Sequence, residues 1–278
     1  IKDLLSGKVS PINHNEKEIL GYRDVLNDIH NNYRFYKFDE NLILEFHKQL
    51  LSYENPNYSG KYKLNDNVIM EISKDGTRSI RFRPTPANET KDAMEQLLLA
   101  YIEARDDSQI NQMLLIPCFI LDFLCIHPFT DGNGRMSRLL STLLLYKNDY
   151  TIGKFVSFEN QINMYKNEYY EALRYASLQW EDGFNTYYPF IDHFLMTIIR
   201  SYRELDKRFS ILSEKNMTKK ERIRNSILNS IVPITRKDLE LLWPDISIDT
   251  IKKTLIELQN ENIIQKIGLF KDAKYVKK

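Results

Sequence analysis

The chain of 278 residues contains only two cysteines, Cys118 and Cys125, and they lie seven positions apart in one apolar stretch. That spacing places both on one side of a helix as free thiols, so neither a disulfide framework nor a cysteine zinc site is expected. Four of the five histidines lack the spacing of metal ligands and are expected to have structural or surface roles: His14, His30, His47 and His193.

Long apolar runs are also scarce. The densest one is interrupted by Pro117 and Asp122, so it is too short for a membrane helix, and no signal peptide is present. A composition of 42% hydrophobic and 28% charged residues is enough to bury a full core. We therefore expect a cytoplasmic protein with no membrane contact. Because the chain begins at Ile1 rather than Met, we also expect residues upstream of it.

A net charge of only +1 hides an uneven distribution. Residues 217–278 hold 13 Lys and Arg against 8 Asp and Glu, whereas the remainder holds 26 against 30. The C-terminal segment is therefore expected to be a separate small domain with a different surface.

The most informative stretch runs from His127 to Arg138 and reads His-Pro-Phe-Thr-Asp-Gly-Asn-Gly-Arg-Met-Ser-Arg. The apolar run at 114–126 predicts a buried helix that ends at His127, and the periodic run at 138–146 predicts a second helix. Between them, the backbone N–H groups of Gly132, Asn133 and Gly134 would lie at a helix start, where they can converge on an anion. Glycine allows the backbone to turn tightly and to approach a ligand closely.

Charged side chains in the same stretch suit phosphate chemistry. Arg135 and Arg138 lie three apart, so both can project from the first turn of the second helix toward phosphate oxygens. Asp131 is a hard oxygen ligand suited to a Mg2+ ion shared with phosphates. His127 is a candidate general base, because histidine alone among these side chains has an ordinary pKa near neutrality.

This segment resembles the signature of the Fic (Fido) family, His-x-Phe-x-Asp/Glu-Gly-Asn-Gly-Arg-x-x-Arg, at every specified position. The resemblance implies a mainly α fold, a Fic-type helical bundle with a small β-hairpin flap, and protein adenylyltransferase activity. His127 would deprotonate a Ser, Thr or Tyr hydroxyl, which attacks the α-phosphate of ATP and retains AMP. Asp131 would hold Mg2+, while the residues that contact phosphate would be Gly132, Asn133, Gly134, Arg135 and Arg138.

Two further segments resemble parts of that family. The segment at 159–180 is similar to the helix that borders the adenine pocket, which makes Tyr169 and Tyr170 candidates for contact with the base, although an aromatic helix face is also typical of a core. Residues 67–72 and 78–83 flank an Asp-Gly turn at 74–77 and predict a β-hairpin. In the family this hairpin is the flap, where a target protein docks by strand addition.

The C-terminal segment shows helical patterns at 220–230, 235–243 and 247–260, followed by strands at 263–267 and 273–276. Thr235 and Ser247 stand at N-cap positions. This order resembles a winged helix-turn-helix domain. The third helix carries Asp249 and Glu257 but no arginine, so protein interaction or dimerisation is favoured over DNA binding, which stays open as an alternative.

The domain organisation predicted for the whole chain has three parts. Residues 1–100 form a helical region that contains the flap, with helices at 16–31 and 38–51. Residues 101–210 form the catalytic core with the motif at 127–138, a helix at 195–209 follows, and residues 217–278 form the winged domain. A homodimer and self-modification are compatible with this organisation.

Other activities use the same motif. The alternatives to adenylyl transfer are transfer of UMP or phosphocholine and removal of AMP. A further alternative is a regulator that senses nucleotide through the motif and acts through a DNA-binding tail. Many family members are inhibited by a glutamate that pairs with the second arginine, here Arg138. Residues 1–278 lack that inhibitory motif, so we expect the inhibitory glutamate to lie just upstream of Ile1.

Overall fold

The computed structural model describes residues 11, 13–72, 76–228, 233–268 and 273–278. The chain divides into two compact units, residues 1–204 and 205–278. The first unit begins with α1 (His14–Asn32), α2 (Glu40–Leu50), the strands β1 (Ile69–Ile72) and β2 (Arg78–Phe82), α3 (Thr90–Asp106), α4 (Gln112–Ile126) and α5 (Asn133–Lys147). A 3-10 turn at Thr151–Lys154, α6 (Phe158–Met164), α7 (Lys166–Ala176) and α8 (Tyr188–Asn216) follow, and α8 extends past the end of the first unit. The predicted mainly helical fold is confirmed.

The helices α4 and α5 form the centre of the first unit. Every residue from 139 to 146 on α5 is buried, and α4 is buried on nearly all sides from 116 to 126. A helix that is apolar all round belongs in the interior of a protein. The helices α1, α2 and α3 supply the surrounding layer, and α5 packs directly against α1, α2 and α4. The motif at 127–138 therefore joins the two most buried helices of the fold.

Gly21 marks a close approach between α1 and the end of α2. A Cβ atom at position 21 would lie 1.9 Å from the carbonyl oxygen of Leu50, which is backbone and cannot move as a side-chain end does. We expect Gly21→Ala to lower the free energy of unfolding by about 2–4 kcal/mol, because the two helices must separate.

Urea unfolding of the purified variants measures this effect. Gly183→Ala is the matched control, since a Cβ there meets no atom within 4 Å and introduces only the strain of a φ of +71°, about 1 kcal/mol. Equal destabilisation by the two substitutions would contradict the helix contact.

The flap predicted at 67–83 is an antiparallel hairpin of β1 and β2. Ile69 pairs with Phe82 and Met70 with Ile80, with an irregularity in the register between residues 69 and 70. The side chains of Met70 and Ile80 are each 46% exposed. Residues 73–75 of the predicted Asp-Gly turn lie outside the described residues.

The single helix predicted over 159–180 is instead two helices, α6 and α7, that meet at Tyr165. The backbone of Tyr165 leaves the helical region (φ −113°, ψ 36°), and its ring lies under the guanidinium of Arg200 on α8, 3.6 Å from the ring centroid. The asparagines at 160 and 163 are weak helix formers, which favours a break here. Because of this break, α6 and α7 are two separate helices beside the motif.

The second unit also contains α9 (Lys219–Leu228), β3 (Ile234–Thr235), α10 (Arg236–Leu242), α11 (Ile248–Asn260), β4 (Ile264–Ile267) and β5 (Lys274–Lys277). Its sheet has the antiparallel order β3-β5-β4. A separate apolar core joins the helices to the sheet through Ile223, Ile251, Leu255 and Ile264. The strand β3 was not predicted, because two residues are too few to show a period.

The two N-caps predicted in this segment are confirmed. The Thr235 hydroxyl accepts the Asp238 N–H (3.2 Å) while the Asp238 carboxylate accepts the Thr235 N–H (2.8 Å), and Ser247 accepts the Thr250 N–H (3.3 Å). Such caps satisfy N–H groups that a helix leaves unpaired. The predicted helix at 220–230 extends to Leu228, and its last two positions and residues 269–272 lie outside the described residues.

Within the part of the chain that the structure describes, no helix has both the length and the apolar character needed to cross a membrane.

Candidate active site

The motif folds into a loop that is held closed by its own side chains. His127 ends α4 in the left-handed region (φ +51°), and Gly132 adopts the same region (φ +83°) just before α5 begins. The Asn133 side chain accepts the Phe129 N–H (2.9 Å) and donates to the Phe129 carbonyl (2.7 Å). Asn133, predicted to steady a phosphate, is thus buried with its amide used inside the loop. Asn133 is the first residue of α5, so the N-terminus of this helix lies at the glycines, as predicted.

His47 of α2 holds the motif loop through a hydrogen bond and a ring contact. Its Nδ1 faces the Gly60 N–H (3.0 Å), which can only donate, so Nδ1 accepts and Nε2–H donates to the Asp131 carbonyl (3.0 Å). The ring also stacks on Phe129, with centroids 3.7 Å apart. Burial, only partly opposed by the bond to Asp131, lowers the pKa of His47 to about 4. The expectation that His47 is packed rather than catalytic fits this placement, although its support of the loop was not foreseen.

Lys63 is a buried cation beside the motif. Its ammonium donates to the carbonyl of Ile126, the last residue of α4 (3.1 Å), and to the side chain of Asn67 (3.0 Å). Asn67 in turn donates to the Phe129 carbonyl (3.2 Å). Burial lowers the pKa of Lys63 to about 8, although Asp66 opposes the change. This ammonium therefore caps α4 where the loop begins.

His127 has the properties of a neutral base. The Leu124 carbonyl lies 3.2 Å from Nδ1 and can only accept, so Nδ1 carries the proton and Nε2 is left to receive one. Burial lowers the pKa of His127 to about 4, and the nearby charge of Lys63 contributes in the same direction. The imidazole is consequently neutral at neutral pH.

Removal of the Lys63 charge should raise the pKa of His127 toward its ordinary value. A positive neighbour disfavours the protonated imidazole, so Lys63→Gln, which keeps a hydrogen-bond donor for α4, makes protonation easier. An NMR titration of the His127 Cε1–H signal measures the change, with Lys61→Gln on the exposed surface as control. A His127 pKa that stays unchanged or falls in Lys63→Gln would contradict the electrostatic coupling.

The first arginine of the motif is held by two carboxylates. Arg135 pairs with Asp131 (2.9 Å) and with Glu18 of α1 (2.9 Å). The other oxygen of Asp131 accepts the Gly132 N–H (2.6 Å), and the Asp131 side chain is 45% exposed. Asp131 and Arg135 therefore lie together at the open edge of the loop.

The second arginine pairs with a residue that the sequence did not single out. Arg138 forms an ion pair with Glu159 of α6, and Tyr22 of α1 shares this contact. The Arg138 guanidinium is largely buried, and Glu159 raises its pKa against the effect of burial. Glu159 lies within the chain, so this partner of Arg138 does not depend on any residue upstream of Ile1.

The two predicted adenine contacts lie in different environments. Tyr169 is 7% exposed, packs against Phe190 and His193, and lies close to Arg138, whose charge acts on the phenol. The small cavity between Tyr169 and the Arg138 side of α5 measures about 10 Å³, room for a water molecule but not for a base. Tyr170 is 46% exposed. The structure thus brings Tyr169 to the site as packing and leaves Tyr170 facing solvent.

The flap is anchored to α4 by a buried carboxylate. Asp122 accepts hydrogen bonds from the Trp180 indole (2.7 Å) and the Tyr187 hydroxyl (2.9 Å), and burial raises its pKa. The Trp180 ring meets Phe82 of β2 edge to face, with centroids 6.4 Å apart. Asp122 therefore fixes the surface on which the flap rests. Its place inside an apolar helix was the only signal in the sequence.

The segment that carries this geometry is similar to known proteins. Residues 37–145 match the model of the Fic/DOC family. A Fido domain-containing protein of Dictyostelium discoideum is 28% identical over 113 residues, 41% of this chain and 71% of that protein. The protein adenylyltransferase Fic of Nematostella vectensis is 23% identical over 135 residues, 49% of this chain but only 28% of that protein. The likeness of the motif to the Fic (Fido) family is therefore confirmed for this segment.

Solved structures agree on the fold. A Fic family protein from Desulfovibrio desulfuricans superposes with a TM-score of 0.59 at 18% identity, over 100% of this chain and 79% of that one. A Fic domain-containing signaling protein from Bacteroides thetaiotaomicron gives a TM-score of 0.55 at 22% identity, over 72% and 75% of the two chains. At such identities the likeness shows a shared fold.

Proposed function

We propose that the chain transfers AMP from ATP to a Ser, Thr or Tyr hydroxyl of a target protein or of itself. The single observation that supports this most directly is the tautomer of His127. Its Nδ1–H is committed to Leu124, so Nε2 presents a lone pair at the start of the loop that leads to the N-terminus of α5 and its two arginines. A neutral base next to an anion-binding helix start suits attack of a hydroxyl on a phosphate.

The reaction follows from these positions. His127 Nε2 accepts the hydroxyl proton as the oxygen of the target forms a bond to the α-phosphorus. The bond from that phosphorus to the oxygen bridging the β-phosphate breaks, and pyrophosphate leaves. The N–H groups of Asn133 and Gly134 stabilise negative charge on the transferred group, that of Gly132 holds the Asp131 carboxylate, and Arg135 and Arg138 hold the outer phosphates.

The donor set at the loop fits a magnesium ion held jointly with ATP. No cluster of three or more His, Cys, Asp or Glu side chains able to hold a metal occurs in the described ranges. Mg2+ commonly takes only one or two carboxylates and fills its other positions with phosphate oxygens and water. Asp131 supplies one half-exposed carboxylate. When bound, the ion would neutralise charge on the phosphates.

The surroundings of the motif suggest where the other parts of the substrates lie. The exposed Tyr170 is the proposed contact for the adenine ring, with Tyr169 as the packing behind it. The target protein is proposed to add a strand to the hairpin of β1 and β2, where main-chain groups set its register. The apolar faces of Met70 and Ile80 are accessible for such a contact.

The second unit is proposed to be a winged helix-turn-helix domain that binds protein or supports a homodimer. The element order from α9 to β5 and the three-stranded sheet support this reading. On α11, Ile248 is 49% and Ile256 58% exposed, and Glu257 pairs with Lys220 (3.2 Å). Exposed isoleucines and neutralised charge suit a protein partner better than a phosphate backbone.

The decisive experiment supplies ATP labelled at either the α- or the γ-phosphate. The protein, alone and in lysate, is incubated with Mg2+, and protein-bound label is measured for the wild type and His127→Ala. Label from the α position that requires His127 supports adenylyl transfer. Label from the γ position would instead indicate a kinase and overturn the proposal.

The alternatives have their own readouts in the same assay. Protein labelling from UTP or CDP-choline in place of ATP would identify transfer of UMP or phosphocholine, and release of AMP from labelled protein would identify the reverse reaction. Salt-sensitive binding to one DNA site, unaffected by His127→Ala, would favour a regulator that senses nucleotide.

A further inference from the structure

A cavity of about 280 Å³ lies at the end of α5 opposite the motif. Its walls come from the end of α1 and the following residues, from α3 and from the last turn of α5. The motif begins where α5 starts, and the cavity lies where α5 ends, about 20 Å away along a 15-residue helix. The cavity is thus separate from the candidate active site.

Aromatic side chains form much of its wall. Tyr33, Tyr101 and Tyr146 are 6%, 3% and 1% exposed, and Phe38 packs edge to face on Tyr101. Tyr33 and Tyr146 also meet edge to face, with centroids 5.3 Å apart. These buried rings give the cavity a fixed wall but leave little of their own surface open to a ligand, so polar groups must carry its recognition.

Cations line the same cavity in excess over carboxylates. Arg34, Arg105 and Lys147 line it, against a single acidic side chain, Asp149. Arg105 pairs with Asp106, but within the described part of the chain neither Arg34 nor Lys147 has a carboxylate partner. Positive charge gathered in a concave site with low-dielectric walls attracts anions.

The hydrogen bonds from Lys147 to main-chain carbonyls do not use all the donors of the cations that line the cavity. Its ammonium donates to the carbonyls of Tyr33 (3.3 Å) and Tyr36 (2.6 Å), which uses two of its three protons. Burial and then the charge of Arg105 lower its pKa, so these two cations act on each other. Arg34 donates only to the neutral Tyr33 hydroxyl (3.1 Å) among the described contacts. The two arginines therefore leave donors for a ligand.

We propose that this cavity binds a small organic anion that carries a phosphate or carboxylate group. Arg34, Arg105 and Lys147 bind the anionic group, and the buried tyrosines form the wall behind it. The volume is at the low end for ligand sites in proteins, which favours a small compound over a nucleoside triphosphate. The site is distinct from the one proposed to bind ATP.

Calorimetric titration with phenyl phosphate tests the proposal, with benzoate as a second probe and phenol and inorganic phosphate as the separate halves. The proteins are the wild type, the double variant Arg34→Gln/Arg105→Gln and Arg138→Gln. Both substituted arginines of the double variant have exposed side chains, so its Tm should match that of the wild type. Arg138→Gln reports binding at the candidate active site.

Phenyl phosphate should bind the wild type saturably and at least about tenfold more tightly than phenol, which lacks the anionic group. The double variant should lose about tenfold in affinity, whereas Arg138→Gln should bind as the wild type does. The proposal is overturned by absence of saturable binding, by equal affinity of phenol, or by binding that Arg138→Gln abolishes and the double variant does not. Because ATP takes no part, failure here leaves the proposed transfer of AMP unaffected.

Discussion

Replacement of His127 with alanine should lower the rate of AMP transfer by about 100- to 10,000-fold while ATP binding stays close to that of the wild type. The substitution removes the group that accepts the hydroxyl proton and leaves the helix N-terminus and both arginines in place. His127 is partly accessible and ends α4 in the left-handed region. Histidine already occupies that φ, so alanine adds no new backbone strain and the domain should stay folded.

Two measurements separate the base from the binding site. Single-turnover labelling with α-labelled ATP gives the rate of transfer, and calorimetry gives the affinity for ATP. His14→Ala is the control, because His14 is an exposed histidine in the same unit that pairs with Glu54. Wild-type labelling by His127→Ala, or loss of ATP binding together with labelling, would remove His127 from the role of base.

The pH dependence of the same assay follows from the neutral imidazole. A base with a pKa of about 4 is already deprotonated at pH 6, so the rate should not fall between pH 8 and pH 6 as it would for an ordinary histidine of pKa 6.5. A rate that halves near pH 6.5 would show that His127 is not desolvated as described. Lys63→Gln should move any such acid limb to higher pH.

Local patterns were enough to predict the helix, loop and helix that carry the motif. The apolar run before His127 and the glycines after it lie within one short stretch, and sequence periodicity reports structure over that distance. The hairpin and the two C-terminal N-caps were predicted for the same reason. The Tyr165 break was missed because it accompanies a contact with Arg200, 35 positions later.

The groups that tune the site could not be predicted, because they come from distant parts of the chain. Lys63 reaches the Ile126 carbonyl across 63 positions, and His47 reaches the Asp131 carbonyl across 84. Neither residue belongs to a recognisable spacing pattern. Only the folded structure shows that Lys63 caps α4 and that His47 holds the motif loop.

The second large effect is expected at the ion pair between Arg138 and Glu159. If Arg138 binds an outer phosphate of ATP, that phosphate competes with the Glu159 carboxylate, which pairs with the guanidinium through Nε. Glu159→Gln removes the competing charge while keeping the side-chain size. We expect ATP to bind about tenfold more tightly and label transfer to rise, because a charge-assisted hydrogen bond is worth about 1.5–3 kcal/mol.

The chain offers a matched control in Glu168, which pairs with Arg200 (2.9 Å) in the first unit. Glu168→Gln removes an equivalent charge from an ion pair that does not involve the motif, so its ATP affinity should stay at the wild-type value. Weaker ATP binding in Glu159→Gln would mean that Glu159 holds Arg138 in its binding position instead of competing with phosphate. The Arg138 side chain is 18% exposed, and salt screens a partly buried pair less than a surface pair, so either result should be measurable. Tighter binding in Glu159→Gln alone would establish that this chain carries a competitor of its own for the second arginine.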